Sequence, residues 1–288
     1  LCSNMSNARY NLRKGNCSAT PIGNLEDMTY RAVRVLGEVD LIAAEDTRNS
    51  IRLLNYFHID TPMTSYHEFN KTEKGKRLIR FMSEGKTVAL ISDAGTPAIS
   101  DPGEELVRMC YDAGIPVTVL PGASACITAV AQSGLSTRRF VFEGFLPQDH
   151  KEKRAALERL GEETRTIVVY EAPHRLKATL QELYRALGDR EMTVCRELTK
   201  RFEEKTRTTI AGAIDALDHI PPRGEYVLVI AGRSPLEIEQ EQRKKWETVS
   251  LQEHMKFYEE QGLSRKEAMR CVARDRGVSR RDIYQQLL

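Results

Sequence analysis

No window of the 288-residue chain approaches the ~18 uninterrupted apolar residues that a membrane-spanning helix needs. The start, LCSNMSNARYNLRKGN, has no apolar core of the kind a signal peptide carries, so the cytoplasm is the default compartment. The six cysteines (Cys2, Cys17, Cys110, Cys126, Cys195 and Cys271) contain no CxxC pair. That spacing argues against a zinc site and against a disulfide framework, and leaves them as reduced, small core residues. There is no GxGxxG and no GxxxxGKS or GxxxxGKT, so neither a dinucleotide pyrophosphate nor a nucleoside triphosphate finds its usual cradle. No His/Cys/Asp cluster has metal-ligand spacing, and the expectation is no metal. Internal repeats and low-complexity tracts are also missing.

What is present is the make-up of a globular protein, 41% hydrophobic and 29% charged, with the length of about two domains. Short β-branched apolar runs at 39–44, 87–92, 115–120, 140–145, 166–172, 192–198 and 225–232 alternate with segments of helical spacing, among them 71–84, 104–113, 124–132 and 175–187. That alternation predicts an α/β fold with a largely parallel sheet. Turn chemistry in SGLSTRRF places a boundary near 135, and after Gly232 the strands stop. The expected organisation is an atypical segment over 1–18, an α/β domain over 19–134, a second over 135–234, and a small helical piece over 235–288.

The run TVALISDAGTPAISDPG leaves a strand and enters no helix for ten residues. Ligands in open α/β sheets sit beyond the carboxyl ends of the strands. Gly95 and Gly103 allow close backbone approach, while Pro97 and Pro102 keep the segment out of a helix. Asp93, Ala94, Thr96 and Ser100 belong to the same bend, and Asp101 adds a further polar group. The next strand ends in Pro121, Gly122, Ala123, Ser124 and Ala125, where a helix N-terminus offers free N–H groups. A small adenosine-bearing ligand is compatible with both loops; two tight turns without a ligand are the alternative.

Polar clusters stand at other strand ends: AAEDTR, SYHEFN, YEAPHR and RELTKRFEE. Each sets a carboxylate beside a base or an amide, as acid/base work and sugar recognition both require. Each also has a plain structural account. AEDT caps a helix near Arg48, His174 is a satisfied structural histidine, and RELTK is a solvated ion pair.

The formal net charge is +2, but residues 263–288 hold seven Lys/Arg against three acids, so this segment carries +4 and the rest −2. Ser264 and Ser279 read as N-caps and Gly277 as the turn between two short helices, the layout of a helix-turn-helix. Its second helix would present Arg280 and Arg281 outward to nucleic acid.

The motifs ATPIGNLEDMTYRA, IAAEDTR, SYHEFN, LISDAGTPAISDPG, LPGASA, FEGFLP, YEAPHR, RELTK and GEYVLVI, in this order, resemble the ribosomal RNA small subunit methyltransferase I family of the tetrapyrrole methylase superfamily. The resemblance covers roughly 19–232, and the tail is similar to the small helical domain these proteins carry. It implies a two-domain tetrapyrrole methylase-like fold, with a C-terminal all-α helix-turn-helix domain and S-adenosylmethionine in the cleft. The implied reaction is 2′-O-methylation of a cytidine ribose in the decoding region of 16S rRNA within the small ribosomal subunit, by a homodimer. The DAGTP and PGASA loops become walls of the cofactor pocket, joined by Tyr170, Glu171, Ala172, Glu225 and Tyr226. Candidate proton acceptors are Glu45, Glu197, and Lys200 if burial depresses its pKa. His67 and Asn70 would hold sugar or phosphate near the loop at Asn24, with Arg48, Arg175, Arg201, Arg280 and Arg281 on the RNA.

One departure stands out. The family runs an apolar strand directly into ATPIGN, whereas here NLRKGNCS has no four consecutive apolar positions. The expectation is that the first strand is missing or degraded, at a cost in stability. A chain beginning with Leu also reads as an odd start or a fragment. Two other functions compete: a small-molecule tetrapyrrole methylase, and a nucleic-acid-binding regulator whose α/β part senses a ligand.

Overall fold

The structure is a computed structural model that describes residues 14–219, 221–234 and 248–287, together with 236, 238, 244 and 246. Cys2, most of the atypical 1–18 segment, and the start of the 235–288 piece lie outside the described residues.

Five strands, β1 (Gly15–Ser18), β2 (Leu41–Ala44), β3 (Met63–Ser65), β4 (Val88–Ile91) and β5 (Val117–Leu120), form one sheet in the order β3-β2-β4-β1-β5. Every pairing in it is parallel. Successive side chains of a strand point to opposite faces, and the core divides accordingly. Ile42, Ala44, Ala89 and Ile91 pack on one face, against α1 (Tyr30–Glu38) and α2 (Thr47–Tyr56). Ala43, Val88 and Leu90 pack on the other, against α3 (Lys71–Ser83) and α4 (Glu104–Asp112). Burying each of the larger side chains among them, Ile42, Val88, Leu90 and Ile91, stabilises the fold by about 1.5–3 kcal/mol before chain entropy is counted.

The strand expected to be missing is present in the interior of this sheet. β1 lies between β4 and β5, in register from Gly15 opposite Val88 and Val117. It is built from GNCS, small and polar residues that satisfy themselves. The buried Asn16 side chain donates to the Val88 carbonyl at 3.1 Å, and Gly15 leaves room for Val117, whose Cγ2 would lie 3.2 Å from an added Cβ. A buried polar side chain is tolerated when it is hydrogen-bonded, so hydrophobicity alone could not reveal this strand.

A second sheet has the order β6-β7-β10-β8-β9, from β6 (Phe140–Phe145), β7 (Thr166–Glu171), β8 (Glu191–Arg196), β9 (Glu204–Thr209) and β10 (Tyr226–Ile230). Only β6 and β7 pair in parallel; the other three pairings are antiparallel. The parallel-sheet expectation therefore holds for the first sheet and fails for the second. The reason is β9, whose sequence EKTRTT is exposed and polar and gives no apolar signal, yet it closes a hairpin with β8. One face of this sheet buries Ile167, Val169, Met192 and Leu228 against α6 (His150–Glu162), α7 (Leu176–Leu187) and α8 (Ile210–His219).

The opposite face, with Val168, Cys195, Val227 and Val229, packs on α5 (Ala125–Gln132), the helix that leaves β5 of the first sheet. α5 thereby ties the two sheets together along one apolar seam. Three further helices, α9 (Leu251–Glu260), α10 (Arg265–Arg276) and α11 (Arg280–Gln286), have their own core of Leu251, Met255, Ala268, Val272, Ala273 and Ile283. Ser264 and Ser279 cap α10 and α11 in capping boxes, and Gly277 ends α10 in the left-handed region at φ +63°, as the spacing predicts.

Candidate active site

The bend after β4 is pinned into place from behind. Thr20 and Gly95 exchange backbone hydrogen bonds of 2.8 and 3.1 Å, and the Thr20 hydroxyl donates to the Ser92 carbonyl at 3.1 Å. Thr96 Oγ1 donates to the Ala123 carbonyl at 3.3 Å, which fastens this bend to the one that follows β5. Ala98 and Ser100 both sit in the left-handed region, at φ +69° and +64°. Such positions cost about 1–3 kcal/mol each and persist where the surroundings over-determine them. Across the gap, Gly144 of β6, at φ +70°, comes so close that a Cβ would lie 2.9 Å from Ser100 Oγ.

Between these elements lies a cavity of about 470 Å³. Of the expected cofactor residues, Ala94, Gly95, Thr96, Ser100, Ser124, Ala125, Tyr170, Glu171, Ala172, Glu225 and Tyr226 line it. Asp93, Pro97, Pro121 and Gly122 do not. Asp93 faces α2, accepting from the Asp46 amide at 3.2 Å and from Asn49 Nδ2 at 3.0 Å. Gly122 is a packing contact, since a Cβ there would lie 2.8 Å from that of Ala19. The cavity also uses residues absent from the expected set: Ile22, Ile99, Asp101, Phe145, Pro173, His174, Leu198 and Val227. All of these lie inside the motifs quoted above, but the facing of the apolar ones, such as Ile22, Phe145 and Val227, follows from tertiary packing alone.

The ends of β2 and β4 gather carboxylates. Burial, and then the like charges of Glu45 and Asp93, push Asp101 up to about 6 against a hydrogen bond from Ser92. Glu45 is raised as well, chiefly by burial, although the Asp93 amide donates to it at 3.4 Å. Glu45 does not line the cavity and acts on Asp101 through its charge. On the far wall Glu171 is sealed in: it accepts from Thr179 Oγ1 at 2.5 Å and from the Ala172 amide at 2.8 Å, with Arg175 Nε 3.4 Å away.

Lys200 bridges Glu197 at 2.9 Å and Glu225 at 2.8 Å. Burial alone would lower its pKa, but these two partners raise it, so the condition on which Lys200 was a candidate base is not met. Burial would likewise lift Glu197, yet the Lys200 ammonium and the Glu225 amide hold it low. The ion-pair account of RELTK is therefore correct at Lys200. The turn is tightly specified, with Glu197 and Thr199 at φ +51° and +64°.

The expected RNA contacts divide by what they already hold. Asn24 caps a short 3-10 turn through the Glu26 amide at 3.0 Å. Asp46 caps α2 and also pairs with the exposed Arg48. Asn70 accepts from the His67 amide at 2.9 Å and donates to Ser65 Oγ at 3.2 Å, which braces the loop after β3. Arg175 is turned inward, donating to the Leu146 carbonyl at 3.2 Å. Arg201 lies 5.5 Å from the ring centre of Phe202, which is 65% exposed, while Arg280 and Arg281 are exposed on the first turn of α11.

The model of the tetrapyrrole (corrin/porphyrin) methylases matches residues 19–214. A ribosomal RNA small subunit methyltransferase I of Halalkalibacterium halodurans is 50% identical over 92% of this chain and 91% of its own length. That of Bacillus subtilis is 48% identical over 92% and 90%. Among solved structures, a uroporphyrin-III C-methyltransferase of Thermus thermophilus, complexed with S-adenosyl homocysteine, superimposes with a TM-score of 0.53 at 20% identity. It covers 75% of this chain and 96% of its own. A diphthine synthase gives 0.58 at 13% identity, over 75% and 89%.

Proposed function

The chain belongs to the tetrapyrrole methylase family, and from that premise we propose that it transfers a methyl group from S-adenosylmethionine to the 2′-oxygen of a cytidine ribose in 16S rRNA. The observation that carries this reading is the cavity where both sheets converge, on a chain so similar to ribosomal RNA methyltransferases.

The cavity's chemistry fits a cationic, adenosine-bearing donor. Its volume falls within the range of about 300–1,000 Å³ typical of small-ligand sites. Its walls combine the apolar Ile22, Leu198 and Val227 with open backbone at Gly95 and at the start of α5, where Ser124 makes no side-chain cap. Its charged rim is acidic at Asp101 and Glu225, which suits a sulfonium and not a phosphate. When bound, S-adenosylmethionine supplies an electrophilic methyl carbon. The task left to the chain is to align an oxygen with that carbon, exclude water and take a proton, and alignment provides most of the acceleration.

RNA would be drawn in by Arg48, Arg201 and the arginines of α11. Phe202, under Arg201, offers a face on which an unpaired base can stack. The partner in this reading is the small ribosomal subunit, in the cytoplasm. No helix among the described residues is long and apolar enough to cross a membrane. A homodimer belongs to the same reading: Val119 on edge strand β5 and Ile127 on α5 are 52% and 56% exposed, and a second copy could cover them.

The test is incubation with methyl-labelled S-adenosylmethionine and, in parallel, small ribosomal subunits, free 16S rRNA or a porphyrinoid precursor. Label in RNA is expected. Label in the porphyrinoid alone contradicts the proposal and favours the small-molecule methylase, and cofactor binding without transfer favours a sensor.

A further inference from the structure

Methylating a hydroxyl leaves a proton to be removed. Three carboxylates line the cavity: Asp101, Glu171 and Glu225. Glu171 is buried, with one oxygen taken by Thr179 and the other by the Ala172 amide. Glu225 is already ion-paired with Lys200 at 2.8 Å. Asp101 has no cationic partner among the described residues. Its neighbours are the Ser92 hydroxyl and the carboxylates of Glu45 and Asp93, from the ends of β2 and β4, with Tyr170 of β7 also within electrostatic reach. His67, on the loop after β3, acts on this group only through Glu45. The residue before it, Ser100, is held in the left-handed region between Gly144 and the pinned bend, so Asp101 is presented on a fixed backbone.

Resting on the reading above, we propose that Asp101 accepts the proton of the attacking ribose hydroxyl, with Glu45 as a positioning residue. The ribose oxygen gains the methyl carbon, the carbon–sulfur bond breaks with its electron pair left on sulfur, and the hydroxyl proton passes to an Asp101 oxygen and then to water. The half-buried, anionic surroundings suit this task. They hold Asp101 at about 6, closer to neutral pH than an ordinary aspartate, so it is a stronger base that is still ionised at pH 7. Glu197 and Lys200 lose the role because each is already bound to an opposite charge.

The experiment measures single-turnover methyl transfer to small ribosomal subunits from pH 5 to 8.5, beside calorimetric binding of S-adenosylhomocysteine, which reports folding and pocket integrity without turnover. Asp101→Asn is expected to slow transfer about 100-fold or more while binding S-adenosylhomocysteine within about threefold of wild type. Wild-type rate should rise with pH through about 6 and then level. Glu45→Gln should move that limb to lower pH, because a like charge has been removed.

Transfer by Asp101→Asn within about threefold of wild type overturns the assignment. So does loss of S-adenosylhomocysteine binding with near-normal transfer at saturation, which would make Asp101 a cofactor ligand. A larger loss in His174→Gln than in Asp101→Asn overturns it in favour of the exposed histidine that shares the cavity. If the wild type labels no RNA at all, the parent reading fails and the assignment falls with it, a result distinct from labelled wild type with an active Asp101→Asn.

Discussion

A lysine with two carboxylates cannot serve as a base near neutral pH. Lys200 pairs with both Glu197 and Glu225, and its stem fills the space beside Gly23, where an added Cβ would lie 2.3 Å from Lys200 Cγ. It therefore braces the turn on the second-sheet side of the cavity against the loop after β1. Lys200→Met should preserve that packing while leaving two carboxylates unpaired. The expected result is weaker cofactor binding with an acidic limb of the rate profile that stays in place. Disappearance of a titrating limb in this variant would return Lys200 to proton transfer.

At the scale of elements, β1 and the bends beside it carry the site. β1 delivers Thr20, which pins Gly95, and it lies between the two strands whose ends form the cavity. Asn16→Ala removes the side-chain bond to the Val88 carbonyl and leaves a buried acceptor short of a partner. It should destabilise the protein by about 1–3 kcal/mol, lowering Tm by roughly 2–4 °C per kcal/mol in a chain of this size. An unchanged melting curve would mean that β1 does not depend on this bond.

The same elements show what could be read from the sequence. Runs such as VALI and YVLVI announce buried strands because both faces are apolar, and Ser264, Ser279 and Gly277 announce helix ends because their chemistry is local. GNCS and EKTRTT announce nothing. One is stabilised by side-chain-to-backbone bonds across the sheet and the other by a hairpin partner. In the cavity, glycine and proline marked the two bends. The ion pairing of Lys200 depends on Glu225, 25 residues away, and the isolation of Asp101 depends on strands brought together only by folding.

Across the whole molecule, the positive charge and the cavity belong to different parts: the arginines stand on α10 and α11, and the acidic rim lies where the two sheets meet. In the proposed reading, a separate basic module would position an RNA through phosphates, whereas the cavity would select the atom that reacts. Arg280→Ala with Arg281→Ala should weaken RNA binding and, if each arginine holds one phosphate, flatten the log–log salt dependence by about 1.5. S-adenosylhomocysteine affinity should not change. Salt dependence equal to wild type would remove α11 from the RNA surface.

The most direct test of the account is the chemical position of the transferred methyl group. After incubation with S-adenosylmethionine and small ribosomal subunits, 16S rRNA is hydrolysed in alkali and the fragments are weighed by mass spectrometry. A ribose methylated on its 2′-oxygen cannot attack the neighbouring phosphodiester, so the account predicts one methylated, alkali-resistant dinucleotide beginning with cytidine. A methylated mononucleotide, which would place the group on a base, or RNA without added methyl, would contradict it.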